Sequence, residues 1–117
     1  MFLIPLLVME QPAKPTEIQK IEAIIHDLGN LKDAEFIRNG ASYTAAEAAA
    51  HLRRKWKNAG NAVKSAPDFI RLCGTDSSMS GKPYLIRFKD GHEIKASDLL
   101  WTALKKLESG NEKSPKP

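Results

Sequence analysis

Two dipeptides constrain this chain more than any other feature. Asn39-Gly40 and Asp90-Gly91 are pairs that tolerate the left-handed backbone of a two-residue hairpin turn, and short β-prone runs flank both. Before the first, residues 35–38 (EFIR) read as a strand, with residues 41–43 as its return. Around the second, Tyr84, Ile86 and Phe88 alternate with Leu85 and Arg87, and residues 92–95 return. Isolated hairpins are marginal in water, so the rest of the chain must cover them with a second layer.

That layer is helical. Thr16 is an N-cap with Gln19 at the capping-box position, and Ile18, Ile21, Ile24, Ile25 and Leu28 follow at helical spacing until Gly29-Asn30. Thr44 caps a second helix, with Glu47 three residues on. Ala45, Ala49, Leu52, Trp56, Ala59 and Val63 share its apolar stripe. Arg53, Arg54 and Lys57 are expected opposite, and Glu47, His51 and Lys55 form a row along one margin. Ser65-Ala66-Pro67-Asp68 starts a third helix, whose apolar face is read as Phe69, Ile70, Leu72 and Cys73 up to Gly74. Ser97 is read as the cap of a fourth, with Leu100, Trp101, Leu104 and Leu107 facing inward. The expected fold class is therefore α+β: a single small domain of four helices with two short β-hairpins. Its core is expected to hold Ile21, Ile25, Phe36, Leu52, Trp56, Phe69, Ile86, Leu100 and Leu104.

The chain is 117 residues long and 42% hydrophobic, enough for one core and one domain. Residues 16–109 are read as that domain. Residues 110–117 are read as a disordered tail. Residues 1–15 are an apolar, incomplete signal-like segment (MFLIPLLVM) followed by a Pro-rich spacer. The apolar run is about half the length of a membrane span. Two readings of it stand: a secretory core whose basic start is missing, or a segment that packs on the domain. The net charge of +4 falls well short of a polybasic chain.

Several constellations invite chemistry and fall short of it. A single cysteine, Cys73, excludes an internal disulfide and a multi-cysteine zinc site, and it sits in the apolar register of the third helix. Glu47 and His51 could touch one metal, but no spacing links them to a third ligand; a hydrogen bond between the two is the expected use, and no metal or cofactor is expected. Gly74 and Gly81 are seven residues apart where a phosphate loop needs five, and Pro83 stands where it needs Ser or Thr. Arg53, Arg54, Lys55, Lys57 and Lys64 could meet phosphates. Trp56 interrupts them and no aromatic platform accompanies them, so a solvated face is expected and nucleic acid is a weaker alternative.

Residues 36–40 (FIRNG), Tyr43, Ala46–Ala48 with His51, Leu52, Arg53 and Lys55, residues 66–70 (APDFI), residues 77–84 (SSMSGKPY) and Trp101 together resemble the YfeK family of small bacterial proteins, which usually carry an export signal. The resemblance implies a periplasmic or envelope location and assigns no activity, substrate or cofactor. This chain departs from the family at its N-terminus, where the basic signal start is missing. Shared polar residues fall on Arg38, Asn39, His51, Arg53, Lys55, Ser78, Ser80 and Tyr84. A surface of Arg38, Asn39, His51, Lys55, Ser78, Ser80 and Tyr84 is expected to bind a ligand or partner. Arg38 and Lys55 would supply charge, His51 and Tyr84 hydrogen bonds, and residues 78–81 backbone donors. Neither His51 nor Lys55 is needed to form its helix, so replacing both is expected to leave stability nearly intact. The expected function is a non-enzymatic binding module for an envelope protein or anionic envelope ligand. The alternative is a small hydrolase or transferase using His51 with a loop serine.

Overall fold

The computed structural model describes residues 14–111. Residues 1–9, most of the spacer after them and residues 112–117 lie outside these, and with them the reading of a signal-like segment.

Helix α1 (Glu17–Gly29) opens on a closed capping box. The Thr16 hydroxyl accepts from the Gln19 N–H at 3.1 Å, and the Gln19 side chain accepts from the Thr16 N–H at 2.9 Å. Its Ile21, Ile24, Ile25 and Leu28 are 2% exposed or less, and each contributes about 1.5–3 kcal/mol by burial. The other helices are α2 (Ala45–Ala59), α3 (Ala66–Cys73) and α4 (Ala96–Asn111), and α1 touches all three. A Cβ on Gly29 would stand 3.0 Å from the Ala49 Cβ, so a glycine against an alanine lets α1 and α2 approach closely.

The two hairpins do not stay apart. Strands β1 (Ala34–Arg38), β2 (Ala41–Tyr43), β3 (Leu85–Phe88) and β4 (Glu93–Lys95) form one antiparallel sheet in the order β2-β1-β3-β4. The union is the β1–β3 pairing, with Phe36 opposite Ile86, and it leaves the two three-residue strands at the edges. Phe36 and Ile86 are buried on the helix-covered face. On the other face Glu35, Arg87 and Glu93 lie side by side, and Arg87 pairs with both carboxylates at 3.4 and 2.9 Å.

Several expectations need correction. Ile18, Leu72 and Trp101 are 64%, 53% and 38% exposed. At about 100° per residue, each lies roughly 70–110° from the centre of its helix's buried stripe. Trp56 is half-buried and packs edge-on against Phe69, with ring centroids 6.0 Å apart, rather than sitting inside the core. Helix α4 begins at Ala96, directly after β4 and one residue before Ser97, and runs to Asn111. Strand β3 begins at Leu85: the Tyr84 N–H donates to the Thr75 carbonyl at 3.0 Å and its carbonyl accepts from Ala96 N–H at 2.8 Å, so its backbone joins the preceding loop to α4.

Candidate functional site

The start of α2 sets the site's geometry. Thr44 follows β2 directly, its hydroxyl accepts from the Glu47 N–H, and the Glu47 carboxylate accepts from the Thr44 N–H at 2.8 Å. This fixes the helix register, so His51 and Lys55 stand one and two turns on, facing Tyr84. The expected Glu47–His51 bond does not form. Glu47 closes the cap instead, and His51 turns to Tyr84.

Tyr84 is 7% exposed, and its hydroxyl has two partners. Lys55 Nζ donates to it at 2.8 Å and to the Asp76 carbonyl at 3.0 Å, while His51 Nε2 lies 3.1 Å away. An ammonium can only donate, so the Tyr84 oxygen accepts from Lys55 and its own O–H donates to Nε2. The imidazole proton then sits on Nδ1, an assignment that follows from the donor and acceptor inventory. Burial, then the charges of Arg38, Lys55 and Arg54, hold the His51 pKa below its ordinary value and favour this neutral ring.

A second cluster ties the first hairpin to the loop before β3. Asn39 adopts φ 53° and Gly40 φ 80°, the left-handed pair that the turn requires. The Asn39 amide donates to Ser77 Oγ at 3.1 Å, and the Ser80 hydroxyl donates to Asn39 Oδ1. Ser77 is 2% exposed and also accepts from the Met79 N–H at 3.3 Å, and Ser80 accepts from the Lys82 N–H at 3.1 Å. Ser78 is exposed and stands apart from these contacts. The expected backbone donors of residues 78–81 are partly committed: the N–H groups of Met79 and Gly81 bond within the loop.

Between α2 and the first hairpin lies a cavity of about 250 Å³. Leu28, Phe36, Leu52 and Ala96 are buried apolar side chains that line it. Arg38, Tyr43, Glu47, His51, Arg54 and Tyr84 give it its polar groups. Arg38 also donates to the Tyr43 hydroxyl at 3.3 Å and stands 5.4 Å from that ring's centroid. Of the seven expected site residues, Arg38, His51 and Tyr84 line the cavity. Lys55 braces Tyr84, and Asn39 and Ser80 brace the hairpin tip.

Tyr43, Ser77 and Arg54 were missed. Arg54 is exposed and lies about 180° from the buried stripe of α2, opposite it as expected, and three residues after His51 it reaches the rim of the cavity. Arg53 turns toward α1, meeting Glu22 at 3.4 Å. The loop serines serve Asn39 and His51 serves Tyr84, so among the described residues no serine–imidazole hydrogen bond is present. Cys73 is 1% exposed, and burial pushes its thiol pKa up, away from the nucleophilic thiolate. Among the described residues no three His, Cys, Asp or Glu side chains cluster as metal ligands, and no helix is long and apolar enough to cross a membrane.

Residues 15–108 match the model of a family of unknown function, DUF5329. The chain belongs to this family. Both clusters and the whole cavity lining fall inside the DUF5329 match. The uncharacterized protein YfeK of Salmonella typhimurium is 40% identical over 68 residues, which are 58% of this chain and 57% of that protein. The match thus spans little more than half of that relative's length. No solved structure matches the chain.

Proposed function

We propose that this DUF5329 chain is a non-enzymatic binding module of the bacterial envelope that takes an anionic group at the mouth of the cavity between α2 and the first hairpin. One observation carries the reading. Of the five arginines, Arg53, Arg71 and Arg87 each reach a carboxylate, whereas among the described residues Arg38 and Arg54 at the cavity reach none. Two guanidinium groups beside a half-buried neutral imidazole suit a carboxylate or phosphate oxygen, because charge-assisted hydrogen bonds gain strength where water is partly excluded. The envelope location is supported by the apolar run of residues 1–9 and by the resemblance to proteins that usually carry an export signal.

The test is an NMR titration of the full chain with acetate and with inorganic phosphate. The amide signals of Arg38, His51 and Arg54 are expected to move together, and the paired change Arg38→Gln with Arg54→Gln to abolish the response. Signals that stay fixed with both anions overturn the site. Location is tested separately by fractionating cells that express the native gene with its start mapped. A mature chain confined to the cytosol and retaining Met1 overturns the envelope assignment.

A further inference from the structure

We infer that the cavity takes a small amphiphilic monocarboxylate, with its apolar group against Leu28, Phe36 and Leu52 and its carboxylate on Arg38 and Arg54. This rests on the anion-binding reading above and names the ligand class for that site.

Three features of the cavity lead there. The first is the floor. Leu28, Phe36, Leu52 and Ala96 are 5% exposed or less and carry no polar side-chain atom, and among the described residues no buried side-chain nitrogen or oxygen lacks a partner. A bound water needs two to four polar partners, and these side chains offer it none. An apolar group laid on this floor gains its transfer from water over the small area that these side chains leave open.

The second is the charge at the rim. Glu47 lines the same cavity as Arg38 and Arg54, so its carboxylate offsets one of the two guanidinium charges. The remainder attracts an anion, and a dianion would bring its second charge toward Glu47. Lys55 donates to the Tyr84 hydroxyl and the Asp76 carbonyl, both neutral, so its charge, which also acts on His51, adds to the attraction for an anion.

The third is the polarity of the hydrogen bonds. Arg38 and Arg54 are donors only. Tyr43 accepts from Arg38, which leaves its own O–H to give. His51 accepts from Tyr84 at Nε2, which leaves Nδ1–H to give. Planar guanidinium forks beside two further donors are complementary to a planar acceptor with two oxygens. The cavity, at about 250 Å³, lies at the small end of ligand pockets, so a chain of about six carbons suits it better than a long acyl tail.

The experiment titrates the full chain with acetate, butanoate, hexanoate and 1-hexanol, following the Arg38, His51 and Leu52 amides. Affinity is expected to rise with each added methylene, by at most about fourfold per step, which sets a ceiling of roughly 250-fold from acetate to hexanoate. The pair Arg38→Gln with Arg54→Gln is expected to weaken hexanoate at least tenfold and to leave 1-hexanol unchanged. Ala48→Leu, which fills the cavity from α2, is expected to flatten the chain-length series while acetate still binds. If Ala48→Leu fails to fold, the series on the parent decides alone. A flat series with intact responses at Arg38 and Arg54 overturns the amphiphile and leaves the anion-binding reading standing. Binding of 1-hexanol as tight as hexanoate overturns the carboxylate assignment. No response to any carboxylate or to inorganic phosphate overturns both readings together.

Discussion

The two hairpins carry the same kind of turn dipeptide and end in edge strands of equal length, yet their tips are held differently. At the second tip everything is local. Asp90 Oδ1 accepts from the His92 N–H at 2.9 Å and from His92 Nδ1 at 2.6 Å, and the His92 ring stacks on Phe88 with centroids 4.7 Å apart. At the first tip Asn39 reaches 38 and 41 residues along the chain to Ser77 and Ser80. The neighbouring Arg38 then points its charge at a cavity. A turn dipeptide specifies a reversal of the backbone. What packs against the tip decides whether its side chain serves only the turn or also fixes a neighbour that lines a cavity.

The largest expected effect separates the hairpins by their place in the sheet. Phe36 is 5% exposed and stands in register with both Tyr43 and Ile86, whereas Ile94 is half-buried on an edge strand. Phe36→Ala is expected to cost about 3–5 kcal/mol and Ile94→Ala below about 2 kcal/mol, read from urea midpoints at constant slope. A greater loss at Ile94 would move the centre of the sheet to the second hairpin.

The tips themselves come next. Asn39→Ala removes two hydrogen bonds and places an alanine at φ 53°, for an expected cost of about 2–3 kcal/mol. Asn39→Gly keeps the backbone conformation and loses only the bonds, so its cost is expected to be about half as large. Asp90→Ala, at a tip held only by local contacts, is expected to leave the midpoint near the parent's. Equal effects at Asn39 and Asp90 would erase the contrast between the two hairpins. Smaller again is the brace beside the first hairpin. His51→Ala with Lys55→Ala leaves the buried Tyr84 hydroxyl without either partner, at an expected cost of about 1–3 kcal/mol, more than a solvent-facing pair would give. Tyr84→Phe added to that pair should cost little more, because the hydroxyl it removes has already lost its partners.

The same contrast marks how far the sequence was legible. Caps and turns are local, and so the helix starts at Thr16, Thr44 and Ser65 and the two-residue turn at Asn39-Gly40 lie where their residues put them. The second turn takes three residues instead, because the Phe88 N–H donates to the His92 carbonyl and only Gly91, at φ 94°, is left-handed. The union of the hairpins was not legible, because two strands of four or five residues carry no signal for the register between Phe36 and Ile86. That Arg38, His51 and Tyr84 share a surface was legible, His51 through its row on α2 and the others through the family-like stretches, and they line one cavity. Arg54 was hidden in a run of like cations. Among the hydroxyls of residues 77–80, only the packing of the loop shows that Ser77 turns inward and Ser78 outward.

The smallest expected effect is a pH dependence, and it falls in different windows for the two regions. The His51 pKa is lowered, chiefly by burial and then by Arg38 and Lys55 with Arg54, against an ordinary value of 6.5. The groups around its ring are Arg38 from β1, Tyr84 ahead of β3, and Glu47, Arg54 and Lys55 from α2 itself. Between the folded-state value and 6.5 the unfolded chain binds more protons at this residue than the folded chain. The His51 contribution is therefore fully present above about pH 7.5, declines as pH falls through 6.5 and levels off below the folded-state value. Asp90 behaves differently. Its carboxyl is held below 3.8 by hydrogen bonds from the His92 backbone and ring, so its contribution is present above that value and is lost only as pH falls through the lower folded-state one. Stability of the parent minus that of His51→Gln, followed by urea denaturation from pH 8 to pH 5, is expected to fall with pH, while the same difference for Asp90→Asn stays flat over that range. The Tyr84→Phe change sharpens the reading, because it removes the donor to Nε2 and so makes protonation of His51 easier. NMR titration of the His51 ring is expected to show its midpoint moving up toward 6.5 in that variant. A midpoint that does not move would separate the His51 shift from the Tyr84 hydrogen bond and leave burial and the three cations to account for it alone.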